Sequence, residues 1–295
     1  MKTPICFYDK VNNTDVYIKR EDLMPGGFGG NKVRIADELF SEALLREAKA
    51  IISYGSASSN LNRVISQKAC EKGLKCYLII KENNIATSHP TFNELMAVES
   101  GAEIIFTAPE EVGKTVRETI ERATLKGENP FYVYGDYTGH GNEEILARAY
   151  EKVAAEIMEQ EEELGLRFDR IYVAVGTGST LKGLVNGFNG ERGITGISIS
   201  REKADILKVL DITESDNLSV TDEYLFGGYG YTNEELTGFI RSRYHKYGLP
   251  LDHTYTGKAF YGSIEEIKKS QEGQNVLFIH TGGIPLFFDM LETVY

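Results

Sequence analysis

Polar and apolar residues follow two rhythms along this chain. Residues 50–54, 75–80, 171–175 and 276–280 are short, nearly continuous apolar runs, rich in Ile, Val, Leu and Tyr. Runs of that kind are strands buried on both faces, as in parallel sheets. Between them the apolar positions recur at helical spacing. Residues 34–48 place Ile35, Leu39, Ala43 and Leu44 on one side. The same period predicts helices over about 59–72, 91–100, 142–164, 232–247 and 258–271, and others starting near Glu111 and near Pro285. Residues 103–106, 131–134 and 193–200 supply further strands, and a short helix follows the glycine turn after Val175. At the start, residues 5–8 and 16–19 flank a turn-rich stretch and predict a hairpin. Strands alternating with amphipathic helices predict an α/β fold of parallel-rich sheets covered on both faces.

With 295 residues the chain is long enough for two domains. The 32 basic and 44 acidic residues give a net charge of −12, without a basic cluster. Nucleic acid is therefore excluded as an expected partner, because binding it requires phosphate neutralisation. Cys6, Cys70 and Cys76 make neither a disulfide framework nor a zinc motif. His89, His140, His245, His253 and His280 lack metal-ligand spacing, so no metal is expected. No leader-like run opens the chain and no stretch is apolar enough for a membrane span, so the expectation is a cytoplasmic protein.

Four segments carry candidate chemistry. In Gly26-Gly-Phe-Gly-Gly-Asn-Lys32 a glycine-dense turn delivers a lysine to the start of a helix. The positive end of the helix dipole disfavours a cation there and favours the neutral amine that attacks carbonyls. In Val173-Ala-Val-Gly-Thr-Gly-Ser-Thr-Leu-Lys-Gly183 a buried strand empties into small residues that open a helix. Backbone N–H groups can converge on an anion in such a turn. It is not a Walker loop, since no Gly-Lys-Ser/Thr ends it, and Leu181 stands where a dinucleotide fingerprint has its third glycine. Ser53-Tyr-Gly-Ser-Ala-Ser-Ser-Asn-Leu-Asn-Arg63 can cradle a carboxylate or can simply cap its helix. Asp252-His-Thr-Tyr-Thr-Gly-Lys-Ala-Phe-Tyr261 and Phe278-Ile-His-Thr-Gly-Gly-Ile-Pro285 complete the set, the latter being a strand that ends in hydroxyl and glycine.

Together these segments resemble the pyridoxal-phosphate enzymes of fold type II, which are tryptophan synthase β-like. Within them they resemble the aminocyclopropane-carboxylate deaminase and D-cysteine desulfhydrase group. The matching residues are Lys19-Arg-Glu-Asp22, Gly29-Gly-Asn-Lys32, Ser59-Asn60 with Arg63, Gly176-Thr-Gly-Ser-Thr180, Gly228-Tyr-Gly230, Tyr255-Thr-Gly-Lys-Ala259 and His280-Thr-Gly-Gly283. They occur in the family's order and span almost the whole chain.

The resemblance implies roles. Lys32 would be the Schiff-base lysine and proton shuttle. Gly176, Thr177, Gly178, Ser179 and Thr180 would cup the phosphate of pyridoxal 5'-phosphate. Asn60 would bond the ring hydroxyl, and Ser59 the substrate carboxylate. Tyr255 would stack on the pyridine ring, with Tyr229 on the substrate side. Thr281, with Thr256 close by, would partner the ring nitrogen. The implied architecture is a large domain of residues 1–39 and 143–295 and a small domain of residues 40–142, with the cofactor in the cleft between them, in a homodimer. Three places differ from the family: Leu61, where Gln or His is usual, and the segments 82–90 and 135–142.

The implied reaction is β-elimination from a small amino acid resembling D-cysteine, giving a 2-oxo acid and ammonia. Ring-opening deaminases resembling this chain have Glu where Thr256 stands. A hydroxyl leaves the ring nitrogen a weaker electron sink than a carboxylate does, and elimination of a good leaving group needs less of one. The alternatives are cyclopropane ring opening, β-replacement by a second nucleophile, and a protein that binds the cofactor or an amino acid without catalysis.

Overall fold

The computed structural model describes residues 1–82, 90–270 and 274–292. Residues 83–89, which include His89 and most of the segment 82–90, lie outside the described residues. The chain forms two compact units, Met1–Asn31 with Ala147–Tyr295, and Lys32–Leu146.

The hairpin is β1 (Ile5–Val11) and β2 (Thr14–Lys19), antiparallel, turned by Asn12 and Asn13 at φ 45° and 59°. Two successive left-handed residues match the twist of the strands they join. α1 (Asn31–Leu45) starts three residues before the expected 34, which puts Lys32 on its first turn.

The second unit continues through β3 (Ala50–Gly55), α2 (Asn60–Lys72), β4 (Lys75–Lys81), α3 (Phe92–Glu99), β5 (Glu103–Thr107), α4 (Val112–Leu125) and β6 (Pro130–Tyr132). Its four strands are ordered β5-β4-β3-β6 and are all parallel. Ile52, Tyr77, Ile79, Val116 and Ala123 fill one side of that sheet.

After α5 (Glu143–Leu164) the first unit resumes with β7 (Arg170–Val175), α6 (Ser179–Phe188), β8 (Gly193–Ser198), α7 (Lys203–Leu210), β9 (Leu218–Thr221), α8 (Glu234–Tyr247), α9 (Thr256–Lys269), β10 (Asn275–Ile279) and α10 (Ile284–Glu292). Its six strands run β1-β2-β10-β7-β8-β9, parallel except for the hairpin. α8 and α9 cover one face through Leu236, Ile240, Phe260 and Ile264, packed with Ile197 and Phe278. α7 and β9 were not expected from the sequence pattern.

The strand orders locate the crevices. In the first unit the chain leaves β7 toward β8 on one side, while β10 lies on the other. In the second it leaves β3 toward β4, while β6 lies on the other side. At such reversal points the loops after the strands part, and ligands of open α/β sheets bind there. The turn at Gly176 follows β7, the turn at Thr281 follows β10, and the serine loop follows β3. All three loops singled out in the sequence therefore sit at reversal points of their own sheets.

Among the described residues no group of three or more His, Cys, Asp or Glu is placed to hold a metal ion. No helix among them is long and apolar enough to cross a membrane.

A buried ionic knot ties the hairpin to α5. The fully buried Lys19 ammonium donates to Glu156, to Gln160 Oε1 (2.6 Å) and to Thr3 O (2.9 Å). Glu21 accepts from Thr3 Oγ1 (2.5 Å) and from Tyr150 Oη (3.1 Å). Removing one partner of such a pair leaves a desolvated charge behind. Lys19→Met is expected to lower stability by about 3–5 kcal/mol in urea unfolding. The double change with Glu156→Gln is expected to recover part of that loss.

Candidate active site

The Gly176 turn is shaped by what it cannot hold. Gly178 lies at φ 96°, and a Cβ there would meet the Leu210 side chain at 2.6 Å. No side chain caps α6, so the first-turn N–H groups of that helix are left for an anion to accept from. Thr180 is buried, and its hydroxyl accepts from Asn31 Nδ2 at 3.0 Å. Thr177 is exposed and Ser179 half-buried.

The Thr281 turn is locked from two sides. His280 is fully buried; its Nε2 meets Pro250 O at 2.7 Å, and its Nδ1 accepts from Gly282 N at 3.2 Å. Asp22 Oδ1 lies 3.8 Å from the same Nδ1. On the other side Asn31 N donates to Thr281 O at 3.0 Å and Gly30 N to Glu21 O at 2.8 Å. A Cβ on Gly282 would lie 2.5 Å from Gly30 Cα, so only glycine permits this approach. Lys32 follows Asn31 directly. It is half-buried, and desolvation pushes its ammonium down to about 8. The helix start proposed from the sequence is present, but burial is the cause that lowers the pKa.

Asp252 organises the next turn. Its carboxylate accepts from Thr254 N (2.8 Å), Tyr255 N (2.6 Å), Thr256 N (2.9 Å) and Thr256 Oγ1 (2.6 Å). Thr256 Oγ1 also accepts from Asp252 N at 3.0 Å. The Thr256 hydroxyl is thus engaged inside the turn that starts α9. The Thr281 hydroxyl has no hydrogen-bond partner among the described residues.

Tyr255 reaches both neighbouring loops. A Cβ on Gly176 would come within 3.2 Å of Tyr255 Cε1, so the ring lies against the anion turn. Its hydroxyl donates to Tyr229 Oη at 3.0 Å, with the two rings nearly perpendicular at 82°. Tyr229 stands in a loop of left-handed residues: Phe226, Gly227, Gly228 and Gly230 have φ of 48°, 90°, 105° and 77°. The buried Lys258 ammonium holds that loop. It donates to Leu225 O at 2.7 Å and to Gly228 O, and burial pushes its pKa down to about 8.

In the second unit, Ser59 caps α2 by accepting from Asn62 N at 3.2 Å. Asn60 is the first helical residue, and its Oδ1 accepts from Asn93 Nδ2 at 3.1 Å. Leu61 and Arg63 are buried beneath them, and burial pushes the Arg63 guanidinium down to about 10. Ser53 Oγ donates to Asn62 Oδ1 at 2.8 Å and ties α2 to β3.

Sequence reading had assigned no role to Asn31, Asn93, Asp252 or Lys258. Asn31, Asp252 and Lys258 lie inside motifs it quoted. Asn93 offered no signal, because a lone asparagine in an amphipathic helix looks like any other.

The first unit therefore suits a phosphorylated aromatic ring. The amides that start α6 are uncapped, Tyr255 lies against their turn, and the unengaged Thr281 hydroxyl follows the neighbouring strand. Lys32, the first residue of the second unit, has an ammonium that loses its proton near pH 8.

Comparison with known proteins agrees. Residues 1–282 match the model of the family described as "Pyridoxal-phosphate dependent enzyme". A "Putative 1-aminocyclopropane-1-carboxylate deaminase" of Pyrococcus abyssi is 33% identical, over 99% of this chain and 93% of its own length. A "1-aminocyclopropane-1-carboxylate deaminase" of Rhizobium rhizogenes is 30% identical over 92% of this chain and 87% of that protein. The crystal structure of an "ACC deaminase homologue" superposes with a TM-score of 0.83 at 30% identity, covering 100% of this chain and 94% of that one. O-ureido-L-serine synthase, 16% identical with a TM-score of 0.74, shares the fold. The chain therefore belongs to the pyridoxal-phosphate dependent enzyme family, as a fold type II member similar to the aminocyclopropane-carboxylate deaminases.

Proposed function

We propose that this enzyme deaminates a small amino acid of the D-cysteine type by β-elimination, releasing the β-substituent, a 2-oxo acid and ammonia. The observation that carries this reading is the hydroxyl pair at Thr256 and Thr281. Thr256 is committed to Asp252, which leaves the neutral Thr281 hydroxyl for the ring nitrogen. A neutral donor makes a weaker electron sink than a carboxylate, enough to expel thiolate or chloride but poorly suited to breaking a cyclopropane carbon–carbon bond.

Bound pyridoxal phosphate supplies the electron sink for the carbanion formed at the substrate α-carbon. The protein's residues do the rest. The amides of Gly176, Thr177, Gly178, Ser179 and Thr180 would hold the phosphate. Tyr255 would pack on the ring. Asn60 would donate to the ring oxygen, and Ser59 with its neighbouring amides would hold the substrate carboxylate. Lys32 would hold the cofactor through its aldehyde and, as a neutral amine, would take the proton from the substrate α-carbon. Tyr229, which accepts a hydrogen bond from Tyr255, would give a proton to the leaving group. Leu61 makes the carboxylate region more apolar than in relatives with a polar residue there. The proposal includes a cytoplasmic homodimer, and light scattering on the purified enzyme tests the dimer.

A second reading is ring opening of aminocyclopropane carboxylate. The named activity of relatives at 30–33% identity favours it. Steady-state assays on D-cysteine, β-chloroalanine and aminocyclopropane carboxylate separate the two. The expected result is a kcat/KM at least tenfold higher for the elimination substrates, a difference of about 1.4 kcal/mol in barrier. Preference for the cyclopropane would overturn the argument from Thr281.

Lys32 has its own test. Its folded pKa of about 8 lies below the ordinary 10.5, so its neutral form appears as pH rises through about 8. The rate at which the cofactor-free protein captures pyridoxal phosphate is expected to rise across that midpoint. Borohydride should then fix the cofactor on the peptide containing Lys32. Lys32→Ala should bind the cofactor weakly, without a reducible adduct. An adduct on another lysine would reject the assignment. Linkage runs the same way: the unfolded chain holds this proton up to pH 10.5, so Lys32 makes the cofactor-free fold gain stability between pH 8 and 10.5.

A further inference from the structure

The first turn of α3 is tied to the loop that carries Ser59 and Asn60. Thr91 caps α3 by accepting from Glu94 N at 3.2 Å, and its hydroxyl donates to Ala57 O at 2.9 Å. Asn93, only 1% exposed, donates from Nδ2 twice, to Ser58 O at 2.8 Å and to Asn60 Oδ1 at 3.1 Å. Asn93 Oδ1 is buried and has no partner among the described residues. A buried amide with an unsatisfied oxygen is costly, so what this side chain contributes comes through its N–H groups.

The orientation of these amides is chemically determined. Ser58 O is a backbone carbonyl and can only accept, so Asn93 must present NH2 to it. The same NH2 group then faces Asn60 and requires an oxygen there. Arg63 Nη2, at 3.5 Å from Asn60 Oδ1, adds a second donor on that side, a cationic one. With its oxygen turned to Asn93, Asn60 has its own NH2 directed the other way. Without Asn93, the two ends of the Asn60 amide are nearly equal in shape and free to exchange.

We infer that Asn93 is a positioning residue that fixes the amide of Asn60 so that its NH2, and not its oxygen, meets the ring oxygen of the cofactor. This rests on the proposed role of Asn60. The ring oxygen is the acceptor in that contact. A carbonyl presented to it would repel it and would favour the protonated, neutral ring hydroxyl.

Asn93→Asp tests the polarity. The introduced carboxylate cannot donate and instead attracts the Asn60 NH2, which reverses the amide. The yellow band of the bound cofactor is expected to lose intensity to the near-ultraviolet band of the neutral ring hydroxyl. Cofactor affinity, measured by equilibrium dialysis, is expected to fall about tenfold, as for one lost hydrogen bond to a charged group. Asn93→Ala leaves the amide free to exchange and should give a smaller shift of the same sign; it stands in if the Asp variant does not fold. In an Asn60→Ala background, Asn93→Asp should change neither readout further. Additive effects in that double variant, or an unchanged band in a folded Asn93→Asp protein, would reject Asn93 as the positioning residue. An unchanged band in Asn60→Ala would instead reject the assignment of Asn60 itself.

Discussion

The approach of the backbone at Gly30 to the backbone at Gly282 is the constraint on which the site depends. It joins the end of the hairpin arm to the loop after β10 by the Asn31 N to Thr281 O hydrogen bond, with no side chain between. Three consequences follow from that stitch. α1 starts where it does, so Lys32 falls on its first turn. Asn31 Nδ2 can reach Thr180, linking the helix start to the anion turn. The Thr281 side chain is set on a backbone that cannot rotate. A Cβ at residue 29, 30 or 282 would meet backbone atoms at 2.1–2.9 Å. Contact at that range is relieved only by moving the backbone itself.

The framework around this stitch is held by charges that are buried and satisfied mainly by main-chain groups. Asp252 accepts three backbone N–H groups and a hydroxyl, so its charge builds the turn that presents Tyr255. Lys258 does the converse, giving its protons to carbonyls of the loop that presents Tyr229. Each side chain costs desolvation energy and recovers it through several hydrogen bonds to strained or irregular backbone. The loop of Tyr229 contains four left-handed residues, and no strand or helix pairs its carbonyls. A buried ammonium supplies the pairing that regular structure would otherwise give.

Most of the fold was legible because its strands are apolar on both faces and its helices are long. Ala50–Gly55, Lys75–Lys81 and Arg170–Val175 stand within a residue or two of their expected ends. α7 and β9 were missed because Lys203–Leu210 and Leu218–Thr221 are short and have no glycine or proline to mark their ends. The start of α1 was placed late because Asn31, Lys32 and Val33 add little helical periodicity. There the Thr281 carbonyl fixes Asn31, a tertiary contact invisible to a local pattern. The candidate residues were legible as motifs of small residues after buried strands. The partners that orient them were not. Thr256 read as a possible ligand for the ring nitrogen, and only the Asp252 contact shows where its hydroxyl goes.

The same logic separates the two kinds of residue in the site. Groups proposed to touch a ligand need an unsatisfied atom in the free protein, as Thr281 and the amides of α6 have. Groups that orient them are held by hydrogen bonds that leave one geometry. His280 meets that condition through Pro250 O and Gly282 N, and it holds Thr281 by fixing the glycine after it. Asn60 stands between the two classes, since one end of its amide is bound and the other is presented. An amide is suited to that position because its ends differ in polarity while hardly differing in shape. Which end it presents is set by whatever holds its far end, in this case a backbone carbonyl two residues upstream acting through Asn93. Sequence motifs record the presented atom, whereas the atom that dictates its polarity lies on a different helix and outside the motif.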